Sequence, residues 1–436
     1  MRRLRRLVLL AGVAATAASA QPAGQKITGP VAVYWMSAST QTGMGMPGAG
    51  GGRPSMASVM QMMQGGGAAA QHSLTLQLGS TEKPSGAPDA EHLPPQALGV
   101  GASLPLVTPE PPPPSAAPRP EEERPQIPQQ FQRPKGRMLI FWGCGEHAKA
   151  GQPVVIDFAQ MSEGKIPPGM ELMMKGMGMG RMQPPSARRY ATYGEWPNAK
   201  AQQVSVPSQG SLVGAHAIHG DYSPEIKFSL GATQDFLGPL TLTTNTKTPG
   251  GPAQLGWAPV SGAQAYAATV IGTGKDQTVV MWTSSEVQAA GFALPDYISS
   301  GDLARGVESH ALMGPQTTSC AVPKEVVDVA SQGFLQMAAY GAEANFVYPP
   351  RPADPKIAWN QQWQVKVRYR SATGGLLGMT MPGMGGRGSY TGAAPGGGQG
   401  GSVQGAQAGQ DQPSPQDAAA ARRRAILNGL GGLIPH

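Results

Sequence analysis

Long glycine- and proline-rich tracts cut this chain into short segments, and nearly all the intervening runs carry the two-residue period of a strand. Residues 72–80 (HSLTLQLGS) show it most clearly: Leu74, Leu76 and Leu78 fall on one side of an extended chain and polar residues on the other. The runs KITGPVAVYWMSA (26–38), RMLIFWGCG and QPVVIDFAQ read the same way, with YATYGEWPN, GSLVGAHAIHG and EIKFSLG continuing the series towards residue 235. A second set follows from about 236 to 372: LTLTTNT, AQLGWAPV, AYAATVIG, TVVMWTSS, FLQMAAYG, ANFVYPP and QWQVKVRYRS, with Gly-rich and helix-compatible residues after Ser285. The expected fold class is mainly β: two antiparallel β-sandwich-like domains, residues 21–235 and 236–372, with long disordered insertions and a tail.

The tracts themselves are read from composition. The chain has 61 Gly and 43 Pro, and only 14% of its residues are charged. Segments dominated by these residues do not bury enough apolar surface to offset the entropy of ordering them. Insertions are therefore expected at about 41–70 and 81–136, the second a Pro-rich spacer of extended polyproline character, and a Gly-rich tail at 373–416.

Both ends carry further signals. MRRLRR followed by LVLLAGVAATAA and ASA is a basic, apolar and small-residue series with a cleavage point between Ala20 and Gln21, so residues 1–20 are expected to be an export signal. Its removal takes away Arg2, Arg3, Arg5 and Arg6, and the formal charge falls from +7 to +3. Nucleic acid is not the partner that such a balance suggests. No later run is long and apolar enough for a transmembrane helix, so the expected location is the periplasm or outer envelope. At the other end, residues 417–436 place Ile426, Leu427, Leu430, Leu433 and Ile434 on one helical face behind three arginines, a candidate contact element for an envelope protein or a membrane surface. Oligomeric state is not encoded in any of these features.

Two cysteines, Cys144 and Cys320, are expected to pair in an exported protein. The alternative is a metal half-site made of Cys144 and His147 in WGCGEH. The motifs of hydrolases, P-loop enzymes, zinc proteases and dinucleotide-binding domains are missing. His216 and His219 would face opposite sides of a strand and read as surface imidazoles. No cofactor is called for, except in one alternative. Methionine clusters at 44–63, 170–182 and 379–384 contain repeated Met-x-Met, and thioethers select Cu(I) or Ag(I). Met170, Met173, Met174 and Met177 fit an apolar helical stripe, which leaves Met177, Met179 and Met182 as candidate metal donors.

One segment carries a resemblance. LGWAPVSGAQAYAATVIG, with Trp257, Pro259, Val260, Gly262, Ala263 and Tyr266, resembles the B-to-C strand region of bacterial fibronectin type III domains. The resemblance implies a β-sandwich in which Trp257 and Tyr266 fill the space between sheets, and a spacer or binding role rather than catalysis. The functional expectation is a non-catalytic interaction or scaffold protein of the cell envelope. The alternatives are a Cu(I)- or Ag(I)-binding protein and an enzyme whose site is built from scattered residues.

Overall fold

The computed structural model describes residues 25–43, 70–110, 136–158, 183–198, 204–288, 294–330 and 333–379. All of them fall within one unit, Met1–Gly386; a second unit, Arg387–His436, lies outside the described residues. The first segment of the chain supplies β1 (Ile27–Thr28), β2 (Ala32–Gln41), β3 (Gln71–Ser80), β4 (Ala90–Leu93) and β5 (Leu104–Pro105), then β6 (Arg137–Trp142), β7 (Val154–Asp157), β8 (Thr192–Trp196), β9 (Gly214–Gly220) and β10 (Ile226–Leu230). The second supplies β11 (Leu242–Lys247), β12 (Ala253–Trp257), β13 (Ala263–Thr273), β14 (Thr278–Thr283), α1 (Ser300–Glu308), β15 (Ser319–Val322) and α2 (Lys324–Val329). It ends with β16 (Phe334–Gly341), β17 (Ala344–Tyr348), β18 (Trp359–Asn360) and β19 (Trp363–Leu376). The molecule is mainly β, as the alternating runs require.

A ten-stranded sheet is the frame. Its order is β7-β6-β14-β13-β16-β19-β2-β3-β8, with β17 also paired to β19. Besides the short parallel pair β1-β18, two smaller sheets accompany it: β11-β12-β15 from the second segment, and β10-β9-β4-β5 from the first. One buried cluster runs through all three sheets, including Met36 and Leu76 of the frame, Leu255 and Val322 of the three-stranded sheet, and Ile218 and Ile226 of the four-stranded sheet. The four-stranded sheet connects to the frame at a corner, where Val107, just beyond β5, exchanges backbone hydrogen bonds with Glu195 of β8. Gly194 makes that corner tight: a Cβ there would lie 2.6 Å from the Leu106 carbonyl oxygen.

The expected division at residue 235 does not coincide with a boundary between sheets. Strands β13, β14, β16 and β19 from the second segment sit in the middle of the frame, with β6-β7 on one flank and β2-β3-β8 on the other. The seams are the parallel pairs β6 with β14 and β2 with β19, whereas the other frame pairings are antiparallel. Edge strands left by one segment are thereby covered by the other, which removes unpaired backbone donors and acceptors. Residues 81–110 also depart from expectation. They form β4, a short 3-10 turn and β5 rather than a spacer, and they bury Ala90, His92, Leu98, Val100, Leu104 and Leu106. β19 runs four residues past the expected start of the tail at 373, and Asn245 holds its end by donating to the Leu376 carbonyl (2.9 Å). The insertion expected at 41–70 lies almost wholly outside the described residues.

Candidate functional site

Two chemically distinct fastenings join the smaller sheets to the frame. The first is a disulfide between Cys144, just past the end of β6, and Cys320 on β15, with Cα atoms 5.3 Å apart. The sulfur of Cys144 is thus engaged in a bond, which removes the thiolate that the alternative metal half-site needs. His147 instead meets Glu325, with Nδ1 3.0 Å from Oε1, and the same carboxylate accepts from the Ala148 amide at 2.8 Å. Around the bridge, the Cys144 amide donates to Glu286 (2.9 Å), the Gly145 amide to the Ala321 carbonyl (2.9 Å) and the Trp282 indole to the Gly143 carbonyl (2.9 Å). The loop WGCGEH is pinned by backbone geometry as well as by sulfur.

The second fastening is polar and buried. Tyr34 of β2, His92 of β4 and His216 of β9 are 0%, 0% and 2% exposed. Their protonation follows from the acceptor at one end. His216 Nε2 lies 2.7 Å from the Leu212 carbonyl, so it must carry a proton and donate. In a neutral ring, His216 Nδ1 is then an acceptor, and His92 Nε2, 3.2 Å away, donates to it. His92 Nδ1 is left as an acceptor for the Tyr34 hydroxyl at 2.9 Å. Every ring nitrogen of His92 and His216 has one partner of the right kind, and both imidazoles are neutral. Burial pushes His92 well below the ordinary imidazole range, with the neighbouring His216 adding to the shift. It pushes His216 down as well, against the opposing pull of the Leu212 carbonyl. Phe228 of β10 lies flat on His216, with ring centroids 4.9 Å apart, and closes the polar chain on that side.

His216 is therefore not the surface imidazole its pattern suggested. His219 is one: it faces solvent on the other side of β9, 3.0 Å from Glu225. His92 was missed because its strand is embedded in the proline-rich stretch, and nothing in AEHL marks it as buried. Near the β8 corner, an open groove of about 320 Å³ is lined by Lys83, Pro84, Pro88, Thr108, Tyr190 and Tyr193 among others. The Tyr193 hydroxyl is occupied, donating to Glu195 (2.7 Å) and accepting from Gln77 (3.0 Å).

The remaining sites read from sequence lie outside the described residues: the cleavage point at Ala20 and Gln21, the donors Met177, Met179 and Met182, and the apolar face of Ile426, Leu427, Leu430, Leu433 and Ile434. Among the described residues, no group of three or more His, Cys, Asp or Glu side chains is arranged to hold a metal, and no helix is long and apolar enough to cross a membrane. Compared with known protein families, curated proteins and solved structures, the chain matches none.

Proposed function

We propose that this protein is a non-catalytic interaction or scaffold protein of the bacterial cell envelope. The observation that carries the reading is the Cys144–Cys320 bridge. A structural disulfide joining two sheets is a device of oxidising compartments, and it agrees with the leader that ends at Ala20. The fibronectin type III-like reading of the second segment is supported by the placement of its motif. Trp257 closes β12 in the three-stranded sheet, Gly262 turns the corner at φ +81°, and Tyr266 lies on β13 in the facing sheet. The two rings are 5.6 Å apart, and the Tyr266 hydroxyl accepts from the Val260 amide at 2.9 Å. In this reading the frame presents the Gly-, Pro- and Met-rich segments, and the 417–436 segment contacts an envelope protein or membrane surface.

Capture from envelope extract tests it, with the full exported chain compared with one ending at residue 416. Export with an N-terminus at Gln21, and a partner lost on truncation, are expected. A retained leader with reduced cysteines would contradict the envelope location, and an unchanged partner set would remove the C-terminal segment from the account.

A second reading, Cu(I) or Ag(I) binding, is favoured by topology. β2, β7 and β19 all run in the same direction across the frame, so their C-terminal ends share one side of it. Gln41 at the end of β2 pairs with both Gln71 and Ala372. The Met-rich stretches at 44–63, 170–182 and 379–384 each follow one of these three ends in sequence, and Met379 is 60% exposed. Competition against a Cu(I) chelator, with Met177, Met179 and Met182 replaced by Leu, tests this reading. Binding no tighter than that of a scrambled Gly-Met peptide would end it.

A further inference from the structure

A cluster on the opposite face of the frame concerns neither fastening and stands independently of the envelope reading. Along β19, Val365, Val367 and Tyr369 point into the core, while Lys366, Arg368 and Arg370 occupy the other face. There they alternate with two aromatic rings. Lys366 Nζ is 5.6 Å from the centre of Trp35 on β2, and the Arg368 guanidinium is 4.5 Å from it. The same guanidinium is 4.3 Å from Tyr297, which precedes α1, and Arg370 lies 5.6 Å from Tyr297. The sequence Lys366, Trp35, Arg368, Tyr297, Arg370 is a ladder of cations and rings.

The charges do not balance within it. Lys366 is paired with Glu343 at 2.8 Å, and both are largely buried. Arg370 meets Asp296 at 3.0 Å, but that carboxylate is 74% exposed and screened by water. Arg368, only 8% exposed, has no ion pair among the described residues. Two of its nitrogens, Nε and Nη2, both donate to the single hydroxyl of Ser37 (3.1 and 2.5 Å). Arg370 Nε is buried without a hydrogen-bond partner. Asp296 and Glu343 act on Arg368 only at longer range, and three cations against two carboxylates leave an excess of positive charge in the cluster. A buried guanidinium without a direct ion pair is costly. Trp35 and Tyr297 both lie close to the Arg368 guanidinium, and an added acceptor is expected at its edge, in the plane of the fork that binds carboxylate or phosphate best.

We infer that the Arg368–Arg370 ladder is a binding site for an oxyanion group, a carboxylate or a phosphate. The ligand oxygens accept from the edge of Arg368 and from Arg370, and offset the excess positive charge of the cluster. The aromatic walls fix the guanidinium plane before the ligand arrives, which lowers the ordering cost of binding.

The test uses the full oxidised chain, titrated at constant ionic strength with inorganic phosphate, with acetate and with chloride. Binding is followed by the thermal midpoint and by the NMR signal of the Trp35 indole. A saturable rise in midpoint with phosphate or acetate beyond that with chloride is expected, with the Trp35 signal moving in step. The arm that acts at lower concentration identifies the group. Arg370→Gln should weaken binding about tenfold or more, while Lys227→Gln, on the exposed side of β10, leaves it unchanged. A wild-type response no larger than chloride's, an unmoved Trp35 signal, or equal binding by Arg370→Gln would each overturn the proposal. A ladder that only pins the loop before α1 would lower the midpoint when mutated and show no oxyanion response in the wild type.

Discussion

The two smaller sheets share one partner and are fastened to it by opposite chemistry. The three-stranded sheet is tied through Cys144–Cys320 and packed by Trp257 against Tyr266, so its attachment is expected to follow redox state rather than the titration of buried imidazoles. The four-stranded sheet is tied through Tyr34, His92 and His216, so its attachment depends on pH and not on redox state. A sandwich needs only complementary apolar faces, which both possess. The added fastening sets the conditions under which each half loosens.

The largest effect should come from the covalent side. The bridged cysteines are 176 positions apart, and chain entropy assigns about 5 kcal/mol to a loop of that size. Chemical denaturation of the Cys144→Ser, Cys320→Ser chain should show a loss of about 3–5 kcal/mol. A loss below about 1 kcal/mol would mean that packing alone holds the three-stranded sheet.

The polar side should respond to acid. Both imidazoles are depressed in the folded state, so the unfolded chain binds protons first as pH falls. Stability is therefore full above the ordinary imidazole value of about 6.5 and declines below it, until the folded-state values are reached. With two protons taken up, the slope approaches about 2.7 kcal/mol per pH unit. His72 on β3, stacked on Phe236, is shifted in the same direction and adds its own part. Denaturation at pH 7.5 and 5.0 checks the slope, and His72→Phe isolates the contribution of the pair.

Smaller effects sharpen the contrast. Gly194→Ala drives a methyl group against the Leu106 carbonyl and the Tyr222 hydroxyl, each 2.6 Å from the new atom, and should cost about 1–3 kcal/mol at the corner of the four-stranded sheet. Tyr34→Phe leaves the buried His92 Nδ1 without its donor and should cost about 1–3 kcal/mol. Its signature is a weaker unfolding midpoint at pH 7.5 with an unchanged response to reductant.

How much of this was legible in the sequence follows from what a strand pattern encodes. Period-two alternation shows which residues share a face, so Leu74, Leu76 and Leu78 were placed correctly on the buried side of β3. It carries no information about which strands adjoin, and the parallel seams β6 with β14 and β2 with β19 join segments far apart in the chain. Proline content concealed β4 and β5, because four- and two-residue strands are too short to show a period. The histidine chain and the arginine ladder are both assembled from strands and loops distant in sequence. Trp35, Tyr297 and Arg368 had no common signal before they were brought together.

The most direct test of independent fastening is residue-resolved amide hydrogen exchange on the full chain. It compares pH 7.5, pH 5.0, and pH 7.5 with reductant, corrected for intrinsic exchange rates. Acid should release protection in β9 and β10 while β12 and β15 hold, and reductant should do the reverse. Equal loss in both sheets under either condition would contradict the account.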